Sequence, residues 1–60
     1  MIIKKYEYNN YIIELHEHSI YHDFEFVIKT KDGHVLCAST HVYHDITEIE
    51  KEVKLTINSL

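Results

Sequence analysis

Apolar and polar residues alternate along much of the first forty positions, and a period of two is typical of β-strands. Two such runs, residues 2 to 8 and 11 to 18, flank Asn9 and Asn10. Asn is one of the few residues that tolerate the positive φ angles of a two-residue hairpin turn. The first element is therefore predicted to be an antiparallel hairpin.

Counting outward from this turn predicts which residues face each other across the hairpin. One face pairs Tyr8 with Tyr11, Tyr6 with Ile13 and Lys4 with Leu15. The other face pairs Glu7 with Ile12, Lys5 with Glu14 and Ile3 with His16. The second face thus carries one opposite-charge pair directly across the strands, where such pairs stabilise a sheet.

Residues 24 to 30 form a third alternating run, which predicts a half-buried strand. Its apolar face consists of Phe24, Phe26 and Ile28. The next three residues, Lys31 to Gly33, are typical of a hairpin loop in which the glycine supplies a left-handed position. A fourth strand is therefore expected to begin near His34.

This loop also predicts the register of the second hairpin. It sets Thr30 opposite His34 and Ile28 opposite Leu36. With that register, Leu36 and Ala38 would share the face of the phenylalanines.

From Ile46 onward the apolar period changes to that of a helix. The predicted apolar stripe is Ile46, Ile49, Val53, Ile57 and Leu60. Asp45 is placed to cap this helix, and Glu48 adds acidic charge in the first turn. Leu55 falls on the polar side.

These elements predict one α+β domain over residues 1–60: an antiparallel three- to four-stranded β-meander followed by a C-terminal amphipathic helix packed on one sheet face. The opposite face is then uncovered, and it is more apolar than a solvated face requires. Its expected apolar members are Ile3, Ile12, Val27, Val35 and Cys37. Tyr6, Tyr8 and Tyr11 cluster at the first turn, either as cross-strand structural pairs or as interface anchors.

Energetic considerations favour a partner. Surface scaling for 7.2 kDa gives roughly 6,300 Å² buried on folding. The apolar part of this area contributes on the order of 90 kcal/mol, and ordering the chain costs about the same. Cys37 is the only cysteine, so an internal disulfide is excluded, and a metal or a second subunit remains.

Charge and composition exclude several classes of function. The net charge of −4 and the six scattered lysines do not form the basic patch that nucleic acids require. No apolar stretch approaches the ~18 residues of a membrane span, and the N-terminus does not resemble a leader. A single packed thiol is expected in the reducing cytoplasm.

Six histidines in 60 residues are the most unusual feature of the composition. His16 and His18 are two apart on a strand and share a face with Glu14, an arrangement able to supply three ligands to Zn²⁺ or Ni²⁺. The alternative interpretation is that these solvent-facing positions use His as a polar residue. No cofactor is expected under this alternative, whereas Zn²⁺ or Ni²⁺ would be the cofactor under the first interpretation.

Catalytic residues are not expected. The strand position of Cys37 favours a packed thiol over a nucleophile. Glu48 and Glu52 lie on the solvated side of the helix, and a 60-residue meander offers little concavity for a substrate.

The chain from residue 24 to 57 resembles the YegP-like family of small bacterial domains. The matching positions are Phe26, Ile28, Gly33, Val35, Leu36, Ser39, Tyr43 and Val53. The resemblance implies a three-stranded sheet with a helix, often paired with a second copy, and no established chemistry.

Two functions follow as hypotheses. The first is a homodimeric, cytoplasmic protein-interaction module that binds or inhibits a larger protein. The Arg-free composition of the chain is typical of an AT-rich genome, which suggests a phage or mobile element as its source. The second is a His-rich domain that binds Zn²⁺ or Ni²⁺.

Overall fold

The computed structural model describes residues 1–18, 23–39 and 42–60. They form four strands and one helix: β1 (Ile2–Tyr8), β2 (Tyr11–His18), β3 (Asp23–Lys29), β4 (Val35–Ala38) and α1 (Ile46–Asn58). The strands make one antiparallel sheet in the order β1-β2-β3-β4. The predicted α+β meander with a C-terminal helix is confirmed.

The first hairpin turns where the sequence predicts it. Asn9 and Asn10 have φ angles of 50° and 70°, as a tight hairpin turn requires. The predicted pairs are confirmed from the turn as far as Lys4 and Leu15. Beyond them the prediction is wrong by one residue, because the register shifts between Ile2 and Lys4 and places Ile2, not Ile3, opposite His16.

The second hairpin has the predicted loop, but the pairing register of its strands beyond the loop differs from the prediction. Gly33 has a φ of 95°, and the Thr30 N–H donates to the His34 carbonyl at 2.9 Å. A register shift between Ile28 and Lys29 then places Ile28 opposite Cys37 instead of Leu36.

This shift leaves Val35 on the predicted face and reverses the predicted faces of Cys37 and Ala38. One extra residue in a strand moves every following side chain to the opposite face. Cys37 packs partly buried against the core, Leu36 is 48% exposed, and Ala38 is exposed opposite Val27. The expectation that Leu36 and Ala38 share the phenylalanine face is therefore wrong.

The helix begins as predicted. Asp45 has extended backbone angles, and its carboxylate accepts a hydrogen bond from the Thr47 N–H at 2.8 Å. This bond satisfies one of the backbone donors that a helix leaves unpaired at its N-terminus. Lys4 of β1 pairs with Glu50 of α1 at 2.7 Å, which ties the edge strand to the helix.

The core lies between α1 and one face of the sheet. Its buried apolar members are Ile13, Leu15, Phe26, Ile28, Tyr43, Ile49, Val53 and Ile57. The Phe26 and Tyr43 rings stack with their centroids 6.2 Å apart. The predicted helix stripe is correct at its centre and wrong at its ends, because Ile46 and Leu60 are exposed.

The accessible surface of 4146 Å² agrees with the roughly 4,100 Å² that scaling predicts for a compact monomer of this mass. No helix in the described part of the chain is both long and apolar enough to cross a bilayer.

Candidate functional site

The candidate site is the sheet face that points away from α1, which we call the open face. Because α1 packs against Ile13, Leu15 and Phe26, the residues that alternate with them point to the other side. Cross-strand pairing arranges these residues in rows. The first row is Glu7, Ile12, Lys29 and Val35; the second is Lys5, Glu14, Val27 and Ala38; the third is Ile2, His16 and Glu25.

Glu14 lies near the centre of this face and is only 5% exposed, the one buried charged residue among those described. The Lys29 Nζ donates to its Oε2 at 3.0 Å, and the Lys5 Nζ lies 3.9 Å from the same oxygen. The His16 Nε2 lies 3.2 Å from Oε1. Each carboxylate oxygen therefore has a partner, as a buried charge requires.

Register explains how this cluster forms. Lys5 is directly opposite Glu14 across β1 and β2. Lys29 is opposite Ile12, one step along the same face, and its long side chain reaches diagonally to Glu14. Lysine stems can cover neighbouring surface while the ammonium group makes its ion pair, which accounts for a shielded carboxylate on a face that no described helix covers.

The cluster favours the ionised form of Glu14. The hydrogen bond from Lys29 is the largest cause that holds the pKa of Glu14 below its ordinary value, and His16 and Lys5 act in the same direction. Burial acts against them and is outweighed.

The sequence predicts one part of this cluster and misses another. The Lys5 and Glu14 pair is confirmed as direct neighbours. Lys29 was missed because its contact depends on how β2 pairs with β3, and the segment joining these strands carries no two-residue turn that fixes the register.

The predicted metal ligands are only partly described. Glu14 and His16 are brought together, whereas the side chain of His18 lies outside the described residues. Within the ranges described, no three His, Cys, Asp or Glu side chains are grouped to hold a metal ion. A cation at Glu14 would also have to displace the ammonium groups of Lys5 and Lys29.

The predicted interface residues divide between two sides of the sheet. Ile12 and Val27 are half-buried on the open face, and Val35 is 61% exposed beside them. Ile3 and Cys37 were expected on this face but instead pack against the core, because the two register shifts turn them. The turn residues Tyr6, Tyr8 and Tyr11 also pack partly buried against the core.

A second polar contact lies at the far end of β3. The His44 Nδ1 lies 2.7 Å from Asp23, and His44 itself is 82% exposed. This is a surface pair, and such pairs contribute little to stability. The described residues enclose no cavity.

Comparison with family models, curated proteins and solved structures finds no match to this chain.

Proposed function

We propose that this chain is a small cytoplasmic, non-enzymatic interaction module that pairs with a second copy of itself and then binds or inhibits a larger protein. The main support for the proposal is that the helix covers only one of the two faces of the sheet. The helix buries Ile49, Val53 and Ile57 against one face, whereas Val27 and Val35 on the other face have no described helix above them. Apolar side chains in that position gain from contact with a second surface.

Energetics support the same proposal. A domain of 60 residues has only about 3 to 9 kcal/mol of stability at the usual 0.05–0.15 kcal/mol per residue. Partner binding to the folded state adds stability by mass action. The likeness to the YegP-like family, whose domains often occur as paired copies, agrees with this proposal.

Sedimentation equilibrium of the untagged protein tests the proposal. We expect a mass that rises from 7.2 kDa toward twice that value as the concentration increases from about 5 to 500 μM. The melting temperature should rise with concentration as well. A monomer throughout, with a melting temperature independent of concentration, would contradict self-association.

Metal binding is the second candidate function, and the 3.2 Å contact between Glu14 and His16 is the observation that favours it. Zn²⁺ or Ni²⁺ would compete with protons for the imidazole nitrogens, so binding would be lost on acidification. Calorimetric titration of untagged protein at pH 7.5 tests this candidate. The absence of binding tighter than about 10 μM would eliminate it, because metal sites built into a fold bind far more tightly.

A further inference from the structure

We propose that His18, Asp23 and His44 form a Zn²⁺ site at the end of the open face where β3 begins. This site is separate from the contact between Glu14 and His16, and it does not depend on self-association. Two of its three ligands, Asp23 and His44, are already in contact at 2.7 Å. The backbone register of the sheet places the third beside them.

A backbone bridge fixes the position of His44. The N–H groups of Phe24 and Tyr43 donate to each other's carbonyls at 2.7 and 2.8 Å. Tyr43 is 7% exposed and stacks on Phe26, so the core anchors this bridge. Antiparallel pairing therefore brings the next two residues, Asp23 and His44, side by side on the opposite face of the sheet.

The pairing of β2 with β3 adds His18 to this row. His18 is directly opposite Asp23, as His16 is opposite Glu25 in the next row. Residues directly opposite each other in an antiparallel pair lie on the same face, with their Cα atoms about 5 Å apart. Asp23 therefore lies between two histidines, one on each neighbouring segment of the chain.

The donor atoms of this row suit Zn²⁺. Two imidazoles and one carboxylate are a ligand set that Zn²⁺ takes in proteins, with a fourth position left to water. Bonds of ~2.1 Å at a tetrahedral angle hold two donor atoms roughly 3.4 Å apart. The His44 Nδ1 and the Asp23 carboxylate would have to separate slightly to reach this spacing. His44 is 82% exposed, so its ring can make that movement without disturbing the core.

The charge environment favours a cation here more than at Glu14. Two lysines already pair with the Glu14 carboxylate, and an ion there would have to displace them. In the described part of the chain, His44 is the one side chain that makes an ion pair with Asp23. A carboxylate accepts and does not donate, so the proton in this contact belongs to Nδ1, and Zn²⁺ would take its place. Glu25 adds a second carboxylate to the same end of the face.

Calorimetric titration of the untagged protein with Zn²⁺ at pH 7.5 measures the site. We expect a dissociation constant below about 10 μM, with binding lost on acidification because protons compete for the imidazoles. His44→Gln, His18→Gln and Asp23→Asn should each raise the constant at least 10-fold, because even the loss of an outer partner of a ligand costs about that much. Circular dichroism confirms that each variant is folded.

Two control variants locate the ion. His34→Gln removes an exposed histidine in the loop between β3 and β4, at the other end of the sheet, and should leave the constant within about twofold. Glu14→Gln removes the carboxylate of the alternative site and should also leave it within about twofold. Long-range ¹H–¹⁵N spectra of the histidine rings should show Zn²⁺ shifting Nδ1 of His44 and leaving the ring of His34 unchanged.

The outcomes separate the two metal sites. A constant raised at least 10-fold in His44→Gln and Asp23→Asn, and unchanged in Glu14→Gln, supports the site at the start of β3. Binding that survives His44→Gln overturns this inference, and its loss in Glu14→Gln would assign the ion to the Glu14 and His16 contact instead. A wild-type protein that binds Zn²⁺ no tighter than about 10 μM contradicts both sites and leaves the proposed self-association intact.

Discussion

Removing the Ile49 side chain should destabilise the fold more than any other single truncation on the helix. Ile49 is fully buried in the core between α1 and the sheet. Ile49→Ala removes three carbons, worth about 2.4 kcal/mol of transfer free energy at ~0.8 per carbon. If the space of about 80 Å³ stays open, the cavity adds up to about 2 kcal/mol. The expected loss of 2 to 4 kcal/mol is comparable with the whole stability of a 60-residue domain.

Ile46→Ala provides the matched control on the same helix. It makes the same chemical change one turn earlier, at a side chain that is 38% exposed, and should cost less than about 1 kcal/mol. Ile and Ala differ in intrinsic helix propensity by less than about 0.7 kcal/mol, so a difference of more than about 1 kcal/mol between the two variants reflects packing. Urea denaturation followed by circular dichroism gives both values. Equal midpoints for the two variants would refute the packing of α1 described above.

Other predictions test the cap, the loop and the ionic cluster. Asp45→Ala removes the bond to the Thr47 N–H and should cost about 1 kcal/mol, measured as a lower melting temperature; no change would mean that the bond is not made in solution. Gly33→Ala should lower the free energy of unfolding by about 1 kcal/mol, because the φ of Gly33 is 95° and an alanine would be strained there even though no atom lies within 4 Å of the added carbon. An unchanged denaturation midpoint would exclude this backbone strain. The lowered pKa of Glu14 means that its stabilisation is present above the ordinary value of 4.5 and is lost as the pH falls through the lower folded value. The stability difference between wild type and Glu14→Gln should therefore shrink from pH 6 to pH 3, and a constant difference would contradict the ion pairs.

The sequence predicts those parts of the fold that depend on local chemistry. Asn9 and Asn10, Gly33 and Asp45 each fix a turn or a cap through their own backbone preferences, and all four behave as expected. The change from a period of two to a helical period at Ile46 correctly places the helix.

The errors arise where one residue is inserted into a strand. A bulge has no strong local signature, yet it reverses the faces of all the residues beyond it. This is why Cys37 and Ile3 lie on the core side, although simple alternation placed them on the open face. The ends of the helix stripe fail for a different reason: Ile46 is the first residue of α1 and Leu60 lies beyond its last residue, Asn58, and both side chains are exposed.

The central ionic cluster likewise contains one contact that the sequence predicts and one that it does not. Lys5 and Glu14 belong to one hairpin and can be paired by counting from its turn. Lys29 comes from a strand whose register against β2 is set by tertiary packing of the core, so its bond to Glu14 becomes visible only in three dimensions.

The most direct measurement of the proposed self-association is an isotope-filtered NOE experiment on a mixture of labelled and unlabelled protein at about 1 mM. Self-association through the open face predicts intermolecular contacts from the methyl groups of Val27, Ile12 and Val35, with none from the core residue Ile49. Intermolecular contacts confined to Leu55 and Leu60 on the exposed surface of the helix segment, or no intermolecular contacts at all, would contradict it.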